Sequence, residues 1–168
     1  MSTQLDDIET RIVEKLSSMA LDATQEAWTD PKWTLEIKRR IGLLGKERGY
    51  YVCATGWTPP DGQGEWLFDL VWLSVQNQLI IDVPLVLESE WDYGPKGICE
   101  DFSKLLLARA QHRVMIFNQK TLEEVEKIFD MLSGWVSAYL RGQRGDRYLL
   151  AGLDNTEKAF VNRLVIVP

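Results

Sequence analysis

The chain has 168 residues, of which 45% are hydrophobic and 26% charged, so it can bury a sizeable core in one domain and intrinsic disorder is excluded. Its net charge of −6 excludes nucleic-acid binding driven by bulk positive charge, while leaving room for a local basic groove. The two cysteines, Cys53 and Cys99, lack metal-ligand spacing, and His112 is the only histidine, which argues against His-based zinc chemistry. The N-terminal stretch is acidic without a signal-peptide hydrophobic segment, and no run approaches a membrane span. The expectation is a reduced, cytoplasmic protein that does not engage a membrane.

In chain order, Leu5, Ile8, Ile12, Leu16 and Met19 recur three or four apart, which predicts an amphipathic helix over residues 3–21 with acids in its first turn. Asp30-Pro31 breaks it. A second helix is predicted over residues 33–48, with Trp33, Ile37, Ile41 and Leu44 inward and Gly49 at its end. The period then changes to that of strands. Residues 50–55 form the first, and residues 58–64 are a turn-rich loop. Strands at 65–75 and 79–90, joined by Gln76-Asn77-Gln78, read as an antiparallel hairpin, with Pro84 marking a bulge or an edge.

A helix at 98–111 carries Ile98, Phe102, Leu105, Leu106 and Ala110 as its inner stripe, and leads to a strand at 113–117. His112 then reads as a helix-end residue. Thr121 and Glu124 form a capping box opening a helix at 121–140. Strands at 148–153 and 164–167 close the chain. The order α, then α-β-β-β-α-β, then α-β-β predicts an α/β fold with a mixed central sheet flanked by helices and a C-terminal β hairpin. Within a single domain spanning 1–168, residues 1–30 form an N-terminal helical arm, 31–118 the core, and 119–168 the C-terminal helix and strands.

Two apolar runs contain acids. Asp69 interrupts residues 66–73, and Glu88-Ser89-Glu90 ends residues 80–90. Apolar residues on both parities suggest strands covered on two faces, where an unpaired carboxylate costs several kcal/mol. A divalent cation relieves that cost. Asp69 and Glu88 on neighbouring strands can converge on one hard ion, and Glu88 and Glu90 share a face because they are two apart. The Ser89 carbonyl could add a ligand. A salt bridge from Asp69 to Arg109 or Arg113, and a solvated strand end for Glu88 and Glu90, are the alternatives.

The order of elements, with acids at these positions, resembles the PD-(D/E)XK, or restriction-endonuclease-like, superfamily over about residues 33–118. The resemblance implies an αβββαβ core and a Mg²⁺- or Mn²⁺-dependent nuclease acting on nucleic acid. Asp69 and Glu88 would hold the metal, and Glu90, standing where the superfamily usually has lysine, would orient or deprotonate water. Lys104 would supply the phosphate-facing lysine, with Lys96 its competitor, and Glu36, in preference to Glu47, would be the acid of the first core helix. Lys38-Arg39-Arg40 and the arginines of residues 141–147 could contact phosphates, and Trp57 and Trp91 could stack on bases. The competing reading is a catalytically inactive binding protein on the same scaffold. A homodimer or a partner subunit of a larger complex fits either reading.

Overall fold

The computed structural model describes residues 4–54, 56 and 66–168. Helix α1 spans Asp7–Glu26. Its N-cap Asp6 accepts from the Glu9 amide at 2.9 Å while the Glu9 carboxylate accepts from the Asp6 amide at 3.0 Å, a reciprocal capping box. Helix α2 spans Asp30–Glu47, with Pro31 in its first turn where no amide hydrogen is needed. Five further strands and two helices follow a short β1: β1 is Tyr51–Ala54, β2 Leu70–Gln76, β3 Leu79–Glu90, α3 Pro95–Leu107, β4 His112–Gln119, α4 Leu122–Ala138, β5 Arg147–Asp154 and β6 Ala159–Ile166.

All six strands form one mixed sheet in the order β1-β2-β3-β4-β5-β6. The β1–β2, β2–β3 and β5–β6 pairs are antiparallel, and β3–β4 and β4–β5 are parallel. Each parallel pair is joined through a helix, as the crossover geometry requires. Side chains alternate across the sheet, so two apolar layers arise from interleaved residues of the same strands. Trp72, Leu85, Leu87, Val114, Ile116 and Leu149 pack under α1 and α2, while Val71, Val86, Met115, Phe117 and Leu150 pack under α3 and α4. Helix α1 places Ile12, Leu16 and Met19 in the first of these layers.

Three expectations are corrected. The second strand begins at Leu70, not at 65, so Asp69 lies in the bend before it, and Trp66 and Leu67 are 41% and 70% exposed. Leu67 adopts a left-handed backbone, φ 68°, which ends any extended run through it. Second, the run buried on both faces is only half of β3, since Leu79, Ile80 and Ile81 are exposed at the hairpin end. Third, His112 is not at a helix end. It opens β4, buried, with Nδ1 2.9 Å from the Pro84 carbonyl and Nε2 2.7 Å from the Asp6 carboxylate. Pro84 coincides with an irregularity, as the β2–β3 register shifts between Trp72 and Ser74 opposite it. The loop 58–64 and Trp57 lie outside the described residues.

Helix α2 can approach the sheet closely only because of Gly45, where a Cβ would lie 2.6 Å from Trp72 Nε1. Gly134 in α4 faces open space. Gly45→Ala is therefore expected to cost about 1–3 kcal/mol by overpacking, whereas Gly134→Ala gains about 0.5–1 kcal/mol of helix propensity. Urea midpoints of the two variants should move in opposite directions. A shared direction would refute the close-approach argument.

Candidate functional site

The register Leu70↔Leu87, carried one residue further, sets Asp69 beside Glu88 at one end of the β2–β3 pair. The bend before β2 turns the Asp69 carboxylate toward the α2 side. There Oδ2 accepts from both the backbone N–H and the hydroxyl of Ser89, each at 2.9 Å, and Oδ1 lies 3.0 Å from Lys38 Nζ. Lys38 comes from α2, and only 5% of its side chain is exposed. So Ser89 contributes donors to Asp69, and the partner of Asp69 is neither Arg109 nor Arg113. Arg113 instead donates to the Ala108 carbonyl and pairs with Asp146 at 3.3 Å.

Glu88 points to the opposite face. It is 2% exposed, and Lys104 Nζ of α3 stands 3.2 Å from its Oε1, an ion-pair contact without hydrogen-bond alignment. Burial pushes the Glu88 carboxyl up to about 7, and the neighbouring charges of Asp69 and Asp101 add to that, against the opposing pull of Lys104. Lys104 also donates to Asp101 at 2.8 Å. Burial works to lower its pKa, but the bond to Asp101 and the charge of Glu88 outweigh it and hold the ammonium above the usual lysine range. Lys104 remains 48% exposed, so the pair opens to solvent through its cationic end.

Glu88 and Lys104 are thus brought together, Asp69 is beside Glu88 in the register but turns its carboxylate to the other face, and two other expected members stand apart. Glu90 Oε1 accepts from the amides of Trp91 at 2.7 Å and Asp92 at 2.9 Å, while Oε2 lies so close to Gly97 that any Cβ there would collide with it. Its carboxylate therefore buttresses the turn into α3. Glu36 is a hub on the α1 side of α2, with Lys32 at 3.1 Å, Arg39 at 2.7 Å and Arg40 at 3.0 Å. The Arg39 bond, opposed by burial and aided by Arg40 and Lys32, holds Glu36 down to about 2. Two residues of helix separate Glu36 from Lys38 by about 200°, which sends them to different faces. Lys96 and Glu47 are exposed.

Lys38 and Ser89 hold Asp69, a role other than the phosphate contact and the carbonyl ligand expected of them. The signal for Lys38 was present, since it follows Ile37 and precedes Ile41 by three, at the margin of the buried stripe. It was masked by the neighbouring Arg39 and Arg40. Much of the anticipated basic surface is consumed internally, with Arg40 on Asp22 at 2.6 Å and Arg147 on Glu9 at 2.5 Å.

A second cluster, Asp6, Glu9 and His112, is the one group of three acid or imidazole ligand atoms within 4.8 Å among the described residues. Its groups are already engaged. The two carboxylates make the α1 capping box, Glu9 also binds Arg147, and the His112 nitrogens face the Pro84 carbonyl and the Asp6 carboxylate. Burial would raise the Asp6 pKa, but the Glu9 amide, His112 and Arg147 together lower it. This cluster ties α1 to the amino ends of β4 and β5.

No protein-family model matches the chain, and no curated protein or solved structure matches it either. No helix among the described residues is long and apolar enough to cross a membrane.

The Glu88 shift has a defined sign. Its ordinary value is 4.5 and its folded value about 7, so between these the native chain holds a proton that the unfolded chain has lost. The stabilising share is complete below pH 4.5 and is lost as pH rises through about 7. In EDTA at about pH 8, Glu88→Gln should raise stability by about 1–3 kcal/mol and flatten the pH dependence above the ordinary carboxylate range. Denaturant unfolding at about pH 5 and 8 checks this, and identical pH slopes in wild type and variant would refute it. Glu36 has the opposite sign: its contribution is present above 4.5 and lost as pH falls through about 2. Glu36→Gln should lower stability by about 1–2 kcal/mol, measured in the same way at neutral pH, and restore little of it under any metal load.

Proposed function

We propose that the chain is a Mg²⁺- or Mn²⁺-dependent phosphodiester hydrolase acting on nucleic acid, built on a restriction-endonuclease-like αβββαβ core. One observation carries this reading. A buried carboxylate, Glu88, is paired with a half-exposed lysine, Lys104, and a second acid, Asp69, lies next to it in the bend before the adjacent strand. The donor set suits a hard divalent cation, which takes oxygen ligands and keeps several waters. Glu88 Oε1 lacks an aligned hydrogen bond, as an oxygen available to a metal would.

Glu88 would hold the ion, and Asp69 would share it only on giving up its Ser89 and Lys38 contacts on the α2 face. When bound, it would polarise the scissile phosphate and acidify a water. Lys104, on the solvent side of Glu88, would face the phosphate and offset charge developing on it. Lys38 and Ser89 position Asp69, the lysine by charge and the serine by two donated bonds. Glu90, tied to the Trp91 and Asp92 amides, supports the loop that precedes α3 and does not take the water-orienting role expected for it.

The Asp69 contacts favour a second reading. Its carboxylate is already compensated by Lys38 and Ser89, so the acids could form a closed structural network in a non-catalytic binding protein. The two readings separate in one experiment. Plasmid and single-stranded substrates are incubated with Mg²⁺ or Mn²⁺ and wild type, Asp69→Ala or Lys104→Ala. The hydrolase reading expects wild-type nicking, abolished by Asp69→Ala and reduced at least about a hundredfold by Lys104→Ala, together with a metal-dependent rise in melting temperature. Absence of both cleavage and the thermal shift selects the binding protein, and cleavage that survives Asp69→Ala overturns the assignment.

A further inference from the structure

A cavity of about 340 Å³ opens beyond the carboxyl ends of β4 and β5, between the α1–α2 junction and the loop that follows β3. Three aromatic rings line it, Trp28 and Trp33, which meet edge to face at 5.0 Å, and Tyr93, together with alanines of α1 and the carboxylate residue Asp30. Trp33 is itself fixed from behind by stacking on Trp91, ring centroids 5.3 Å apart. At the base stands Asn118, 5% exposed, whose Oδ1 has no hydrogen-bond partner. Lys158, in the turn between β5 and β6, supplies a cation at the rim.

A buried amide oxygen without a donor costs about 1–3 kcal/mol, so a ligand that brings an N–H to it is favoured over water-free closure. The walls ask that the ligand be flat, because aromatic faces stack on planar π systems. The volume lies at the small end of ligand pockets. An aliphatic acid or a bare anion would leave the Asn118 oxygen unsatisfied and the aromatic faces unused. A heterocycle bearing ring or exocyclic N–H groups meets all of these demands.

The cavity lies on the same face of the sheet as Ser89 and the Asp69 carboxylate, opposite Glu88 and Lys104. Phe117 pairs with Glu90 across β3–β4, and Asn118 is the next residue, on the α2 face of the sheet that also carries Ser89 and Trp91. We propose that this cavity binds a nucleobase, Asn118 Oδ1 accepting its N–H, with Lys158 toward the phosphate that the nucleotide carries. The choice of a nucleobase among flat heterocycles rests on the phosphodiesterase reading; the cavity and its orphaned acceptor do not.

The test is equilibrium binding of AMP, CMP, GMP and UMP to the full chain in EDTA, followed by tryptophan fluorescence and calorimetry, with ribose 5-phosphate as control. At least one mononucleotide should bind and quench fluorescence, and ribose 5-phosphate should not. Asn118→Leu should weaken binding at least about tenfold while melting at a temperature close to wild type. Should that variant fail to fold, Lys158→Ala at the exposed turn replaces it, and it should weaken mononucleotide binding while leaving nucleoside binding unchanged. The proposal is overturned if no mononucleotide binds at millimolar concentration, if the folded Asn118→Leu variant or Lys158→Ala binds as wild type does, or if ribose 5-phosphate binds equally well. Binding without cleavage would remove the hydrolase reading and keep the pocket, and cleavage without binding would do the reverse.

Discussion

The Asp69 carboxylate is the joint on which this end of the molecule depends. It accepts two bonds from Ser89 of β3 and pairs with Lys38 of α2, so one charged group ties a helix, a bend and a strand together. A nearly buried ammonium such as that of Lys38 is tolerable only opposite a compensating charge. The bend at Asp69 makes the contact geometrically accessible, because a residue inside β2 at that register would send its carboxylate to the α3 side with Glu88.

The consequence is a division of charge across the sheet. Asp69 and Lys38 lie toward α2, and Glu88, Lys104 and Asp101 lie toward α3. The two acids still repel through the thin layer of backbone between them, which is part of why the Glu88 carboxyl rises to about 7. Near neutral pH such a group sits at the edge of ionisation. A bound cation would tip it to the carboxylate, and proton release on metal binding follows from that coupling.

Aromatic packing organises the neighbouring region. Trp33 touches Trp28, Trp91 and Phe160, joining α2 to the loop after β3 and to β6. Of these rings, Trp28 and Trp33 also line the cavity over Asn118. A polar residue at the end of a buried strand, facing an aromatic wall, is an unusual use of core surface. Since Asn118 falls on the same parity as Val114 and Ile116, the pleat directs it to the α2 side without any further device.

Periodicity in the sequence by itself determined the elements and their order, including the first β-α-β connection and the closing hairpin, because hydrophobic spacing and capping residues are local signals, whereas the second parallel pair, β4–β5, emerged from the tertiary structure. It also marked Asp69, Glu88 and Lys104. What it misjudged depended on distance. Trp66 and Leu67 looked like core, yet a left-handed turn at Leu67 leaves them at the surface, and apolar composition does not encode that bend. Glu36 and Lys38 sit two apart on one helix; the glutamate meets Arg39 and Arg40 of its own helix at i,i+3 and i,i+4 spacing, while the lysine meets Asp69 from a distant bend, which only the tertiary fold decided. Glu90 shares the parity of Glu88, but the turn into α3 captures its carboxylate with two amides. Local spacing sets which face a side chain takes. The partner it finds there is the next turn of chain for Glu90 and a distant bend for Lys38, and for a charged group the partner determines the chemistry.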